Sequence, residues 1–239
     1  MTPRLFRRLV LMVALVSVPA PAAAQWTDSW GTSWNNPISQ SLGTMLHQNV
    51  IWGVPLPIGE GSRATLPAAE DRLIFQRTRG GRAADDVVRA FDMGGISQDD
   101  LLRFFGVVAR EYDRSAKDFG AENNLAYAVT VFTVTMVTVH NGIEGDPGPL
   151  VERNVFDVVS ATLASSTGLA RMSGPEKQEL HDRLVYTAGL VAFACRTAVQ
   201  EGKPDRVALF RSVAGDLLRS TYNADPGRFA IVDDRLIYR

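Results

Sequence analysis

The sequence predicts an all-α protein: a single antiparallel helical bundle of about five helices, with an irregular Trp-rich N-terminal arm before it and a short extended C-terminal segment after it. Three observations predict this. Apolar residues recur every three or four positions from residue 97 onward, the spacing of one helix face. Helix start and stop signals bracket those runs. The breaks between them are short, as antiparallel neighbours in a bundle require. The chain accordingly divides into residues 1–24, read as a cleaved signal peptide, residues 25–96, an irregular arm with short elements, and residues 97–239, the helical bundle domain.

The first bundle helix opens at Ser97, with Asp99 and Asp100 at its positive end, a variant of the capping box. Leu101, Phe105, Val108, Tyr112, Ala116 and Phe119 line one face, Arg103, Arg110, Arg114 and Lys117 occupy the others, and Gly120 ends the run. Residues 122–140 are harder to read. Residues 129–139 are rich in β-branched side chains, which favour strands. Projected at about 100° per residue, however, Leu125, Ala128, Val129, Phe132, Met136 and Val139 gather on one arc and Asn123, Tyr127, Thr130, Thr138 and Asn141 on the opposite one. Strict alternation fails at Phe132-Thr133, so the stretch reads as a buried helix. As a membrane span, its 15 uncharged residues with four Thr are too short.

Residues 145–149 (Gly-Asp-Pro-Gly-Pro) form a break. A third helix is expected over about 150–169, with Val151, Val155, Val158, Thr162 and Leu169 inward. Ser173-Gly174-Pro175-Glu176 is a capping box with Pro in the first turn. The helix it opens places Leu180, Leu184, Ala188, Val191, Cys195 and Val199 on one stripe and ends at Gly202. Pro204 opens the last long helix, with Val207, Phe210, Ala214, Leu217 and Thr221 inward. Residues 228–239 hold two apolar segments around Asp233-Asp234, either a small hairpin or an extended tail laid on the bundle.

Upstream, no apolar period survives across residues 25–66, where Trp26, Trp30, Trp34 and Trp52 stand among Asn, Ser, Gly and Pro. Leu73-Ile74-Phe75 reads as a short strand and residues 85–91 as a turn or two of helix. The N-terminus itself is the most specific feature. Arg4, Arg7 and Arg8 precede an apolar run over residues 9–18, and Ala22-Ala23-Ala24 offers small residues before Gln25, the pattern of a cleaved secretory signal. Ten apolar residues reach about 15 Å as a helix, half a hydrocarbon core of about 30 Å. The expected destination is the periplasm or the secreted space of a bacterium, with no transmembrane anchor in the mature chain.

Composition excludes several classes. At 46% hydrophobic and 21% charged the chain is neither disordered nor a multi-span membrane protein. Removing the three leader arginines leaves 22 basic against 26 acidic residues, a poor match to nucleic acid, which asks for a basic stripe. One cysteine rules out an intrachain disulfide and a Cys-rich zinc site.

From about residue 123 to the C-terminus, the chain resembles a family of bacterial exported proteins known only as a domain of unknown function. The residues that carry the resemblance are the Asn-Asn-Leu-Ala-Tyr-Ala opening at residues 123–128, the Ser-Gly-Pro-Glu-Lys-Gln run at residues 173–178, the long Ala-rich helix after it, and the final helix leading into residues 223–229 (Asn-Ala-Asp-Pro-Gly-Arg-Phe). It implies an α-helical exported domain, and no activity.

Constellations with chemical potential read as structural. His181 and Cys195 share the inner stripe of one helix but stand fourteen residues, about 21 Å, apart, beyond the reach of a nucleophile–base dyad. Cys195 reads as a buried structural thiol. His47, His140 and His181 have no i,i+4 partner, and the side chains of His181 and Asp182 are expected on different helix faces. The acidic pairs Asp85-Asp86, Asp99-Asp100 and Asp233-Asp234, with Glu144 and Asp146, sit where helix starts and turns demand them. The Arg-Gly-Gly-Arg of residues 79–82 lacks the remainder of a phosphate loop. No catalytic, metal or cofactor-binding residue is nominated.

The least bland feature is the arm. Trp26, Trp30 and Trp34 recur every fourth residue after the cleavage site, and Trp is enriched in binding hot spots. The arm serves either a partner or its own bundle as packing. The expected function is a non-enzymatic binding module of the cell envelope or secreted space, its partner another envelope or secreted protein or a second copy. A hydrolase using carboxylates assembled by folding, and a carrier of a small apolar ligand, are the alternatives.

Overall fold

The computed structural model describes residues 72–78, 81–90, 97–145 and 147–239. Among them seven helices follow in order: α1 (Ala83–Ala90), α2 (Gln98–Phe119), α3 (Leu125–Asn141), α4 (Pro149–Ala164), α5 (Thr167–Arg171), α6 (Gly174–Gln200) and α7 (Pro204–Tyr222). A 3-10 turn (Pro226–Arg228) leads into an antiparallel hairpin of β1 (Phe229–Val232) and β2 (Arg235–Tyr238). The described residues form a helical bundle with one two-stranded sheet.

The bundle is organised around α3, which α4, α6 and α7 surround and the hairpin flanks. Every residue of α3 from 125 to 139 is buried, so the helix is apolar all round, as a central helix must be. Tyr127, Thr130 and Thr138, on the arc opposite the apolar one, are buried with the rest. Packing from several sides overrides the low helix propensity of its β-branched residues. Thr130 and Thr133 donate their hydroxyls to the carbonyls of Ala126 and Val129 at 2.8 and 2.7 Å, which removes the cost of burying them.

Local signals set the helix ends. Ser97 accepts from the Asp100 N–H to start α2, and Gly120, in the left-handed conformation, ends it. The capping box of Ser173 and Glu176 forms in full at the start of α6. Asn124 caps α3 through the Ala126 N–H. The third helix is shorter than the sequence suggests, ending at Ala164 instead of continuing to residue 169. The reason is the run Ser165-Ser166-Thr167: the Ser165 hydroxyl donates to the Thr162 carbonyl, and Ser166 caps α5, so side chains compete for the backbone.

The stripe expected on α6 also needs correction. Leu180, Leu184, Ala188 and Val191 are buried, but Cys195 is only half-buried and Val199 is 58% exposed. A stripe of fours and threes spanning nineteen residues drifts about 100° around a helix of 3.6 residues per turn. The buried face follows the helix instead, through Leu190, Ala194 and Ala198.

At the C-terminus the hairpin reading holds. Asp233 and Asp234 are its turn, both with positive φ (48° and 58°), the geometry of a two-residue turn with Asp tolerance. Upstream, Leu73-Ile74-Phe75 forms a single antiparallel bridge from Ile74 to Asn124 instead of a strand. The ladder cannot propagate because Leu125 enters a helix. The Phe75 N–H donates to the Asn123 carbonyl and the Leu125 N–H to the Leu73 carbonyl. Residues 72–78 thus form a strap across the bundle, with Leu73 and Phe75 in the core; α1 adds Val87. No helix of the described residues is long and apolar enough to cross a membrane.

Candidate functional site

The densest polar constellation lies where the strap crosses α2 and α6. His181 stands one residue from the Leu180–Leu184 stripe, so α6 turns it into the core, where it is 0% exposed. Phe75 of the strap meets the imidazole edge-on at 5.0 Å between ring centres, and Tyr112 of α2 meets it at 4.9 Å and 85°. The side chains of His181 and Asp182 were expected on different faces of α6. The structure brings them together, His181 Nδ1 lying 2.8 Å from Asp182 Oδ1.

The carboxylate accepts, so Nδ1 carries the proton and Nε2 is left as the acceptor. Among the described residues, neither Nε2 nor the Tyr112 hydroxyl has a hydrogen-bond partner. Burial pushes the imidazole below the ordinary histidine range, against the opposing pull of Asp182, so the ring is held neutral. Burial, reinforced by Asp113, holds the Tyr112 phenol well above its usual range.

Arg77 of the strap completes the cluster. Its Nη2 lies 3.2 Å from Asp113 Oδ1 and 3.4 Å from Asp182 Oδ1, and its Nε donates to the Asn123 side chain at 3.3 Å. Folding therefore gathers two carboxylates, from α2 and α6, as a hydrolase would need. Arg77 stands between them, and Asp182 also serves His181. One residue along the strap, the Thr78 N–H donates to Gln178 Oε1 at 2.7 Å and Gln178 Nε2 donates to the Thr78 carbonyl at 3.0 Å. Gly81 closes over the same spot; a Cβ there would stand 3.7 Å from Asp182 Oδ2.

A second buried polar group adjoins the first. The Tyr127 hydroxyl of α3 donates to Glu152 of α4 at 2.7 Å. Burial and then the Glu152 charge drive the Tyr127 phenol far above its ordinary range. Tyr112 and Tyr127 pack at 5.5 Å, so the two groups share one aromatic wall.

The other nominated residues are dispersed. Trp26, Trp30, Trp34 and His47 lie outside the described residues. His140 ends α3, its Nδ1 donating to the Arg211 carbonyl at 3.0 Å. Cys195 lies on α6, which runs unbroken past His181 and keeps the two apart; burial raises its thiol, with Arg211 pulling the other way. Asp85 and Asp86 open α1, and Asp86 pairs with Arg183. Asp100 caps α2 with Ser97. No group of three or more His, Cys, Asp or Glu side chains among the described residues is placed to hold a metal.

Sequence reasoning missed Arg77, Gln178, Asp113 and the Tyr127–Glu152 pair. A histidine on an apolar stripe beside an acid was a usable signal for His181–Asp182. Arg77 carried none, since its segment has no period.

No curated protein and no solved structure matches the chain. The chain does match the model of a protein family over residues 57–238, further upstream than the sequence resemblance from residue 123. Three-quarters of the chain lie within that match, so the protein belongs to the family of unknown function DUF6683.

Proposed function

We propose that the protein is an exported, non-enzymatic binding module: a rigid helical bundle whose Trp arm engages another envelope or secreted protein, or a second copy of the chain. One observation carries the non-enzymatic part. The His–Asp pair best suited to proton chemistry is enclosed between Phe75 and Tyr112, and its carboxylate is engaged in holding the strap. A general base needs hydrogen-bond reach to a substrate proton, and a fully enclosed imidazole has none. The leader pattern of residues 1–24 supports export, and Trp26, Trp30 and Trp34, placed just after the cleavage site, support the arm as the binding element.

The test compares the mature chain with the triple variant Trp26→Ala, Trp30→Ala, Trp34→Ala. Sedimentation velocity reads self-association, and cross-linking in the exporting cell reads a second protein. The reading expects the variant to keep its helical circular dichroism and lose the complex. Retention of every complex by the folded variant would remove the arm from the account.

A further inference from the structure

The His181 cluster has a geometry that a static core would not need. Its neutral imidazole spends Nδ1–H on Asp182, while Nε2 points into an aromatic enclosure with no partner. A proton added at Nε2 would create a second N–H donor with no acceptor among the described residues, and a ring charge that Asp182, already shared with Arg77, would have to balance. The groups facing the ring are known from each side. The strap contributes Phe75 and Arg77, α2 contributes Tyr112 and Asp113, and α6 contributes Asp182. Behind Tyr112, α3 and α4 contribute Tyr127 and Glu152. Of the two acids of α1, Asp85 and Asp86, the second is engaged with Arg183. Among the described residues, Asp182 is the one carboxylate in contact with the ring, and it already holds Nδ1 and Arg77.

The ways to relieve a protonated Nε2 differ in difficulty. Moving α2 or α6 would break the core of the bundle. The strap is held by the buried side chains of Leu73 and Phe75, two backbone hydrogen bonds at the Ile74–Asn124 bridge, the Arg77 ion pairs and the Gln178–Thr78 pairing; past Leu73 only Phe75 is buried, and Ile74 and Arg77 already meet solvent. Local opening of such a segment is the low-energy route.

We propose that His181, Asp182 and Arg77 form an acid-operated latch: protonation of His181 at Nε2 lifts residues 74–78 off α6 and α3 while the bundle stays folded. Phe75 leaves the imidazole, water reaches Nε2–H, and Arg77 parts from Asp113 and Asp182. The latch needs no binding partner and stands whether or not the Trp arm binds one. An exported chain meets external acid directly, and histidine is the side chain that titrates in that range.

The experiment is a pH titration of the isotope-labelled mature chain followed by amide resonances. As the pH is lowered from about 7 to below the ordinary histidine range, where burial has pushed the imidazole, the amides of residues 74–78 are expected to move to unstructured positions while those of α3 and α7 stay native. In His181→Phe the strap is expected to stay docked across the same range. In Arg77→Gln, which keeps the imidazole and weakens the strap, the midpoint is expected to rise by about half a pH unit or more. A strap that stays docked in the native chain would overturn the proposal. So would strap and α3 resonances lost together, an acid transition that survives in folded His181→Phe, or, should that variant not fold, an unchanged midpoint in Arg77→Gln.

Discussion

Gln178 pairs with Thr78 as one strand pairs with another: its side-chain amide accepts from the Thr78 N–H at 2.7 Å and donates to the Thr78 carbonyl at 3.0 Å. It also lies within reach of the Thr78 hydroxyl. A single side chain thus satisfies both backbone groups of a residue one hundred positions upstream. Gln178→Ala leaves them without these partners, and loss of hydrogen bonds of this kind costs about 1–3 kcal/mol. Urea unfolding should show that loss. Gln178→Glu, which keeps the acceptor but turns the donor into an oxygen facing a carbonyl, should not restore it.

At Gly189, α6 packs directly on Val108 of α2. A Cβ there would stand 2.7 and 2.9 Å from the two methyl groups of Val108. Gly to Ala inside a helix ordinarily stabilises by about 1 kcal/mol. Here Gly189→Ala is expected to destabilise by about 1–3 kcal/mol. Adding Val108→Ala should recover part of that loss, and a double-mutant cycle measures the recovery.

Tyr127 and Glu152 tie the central helix to α4 inside the core. Tyr127→Phe removes the donor and leaves the carboxylate buried, and hydrogen bonds to charged groups contribute about 1.5–3 kcal/mol. Tyr127→Phe combined with Glu152→Leu should be less damaging than the sum of the two, because the second change removes the charge the first exposes.

Alkaline titration offers a pH test with a definite sign. Burial pushes the phenols of Tyr186 and Tyr222 up to about 12, against about 10 in an unfolded chain. A raised acid keeps its neutral form in the folded state. The stability it contributes is therefore full below about pH 10 and lost as pH rises toward about 12. Phenolate absorbance of the folded protein should lag that of the urea-unfolded protein across this window. Coincident curves would show both rings open to solvent.

The parts of the fold legible in the sequence are those governed by local chemistry. Ser97, Gly120, Ser173 and Pro204 mark helix ends because a cap or a ring acts on its own few residues. The central helix was legible as a helix but not as the hub, since projection finds the most apolar arc and cannot tell how many neighbours will arrive. The α4–α5 break followed from serine hydroxyls whose competition with the backbone no apolar period reports. The polar cluster was half legible. His181 and Asp182 stood adjacent in the sequence, with Gln178 one turn upstream, but Tyr112 joins His181 from 69 positions away and Arg77 joins Asp182 from 105, and only the tertiary fold makes such contacts.

Removing residues 25–36 and measuring both unfolding and association tests the account most directly. If the arm faces a partner, the shortened chain keeps the urea midpoint of the mature chain and loses its complexes. If the arm instead packs over its own bundle, the midpoint falls with the unfolding free energy, which drops by about 1 kcal/mol or more for even one well-buried Trp, and the binding role is contradicted.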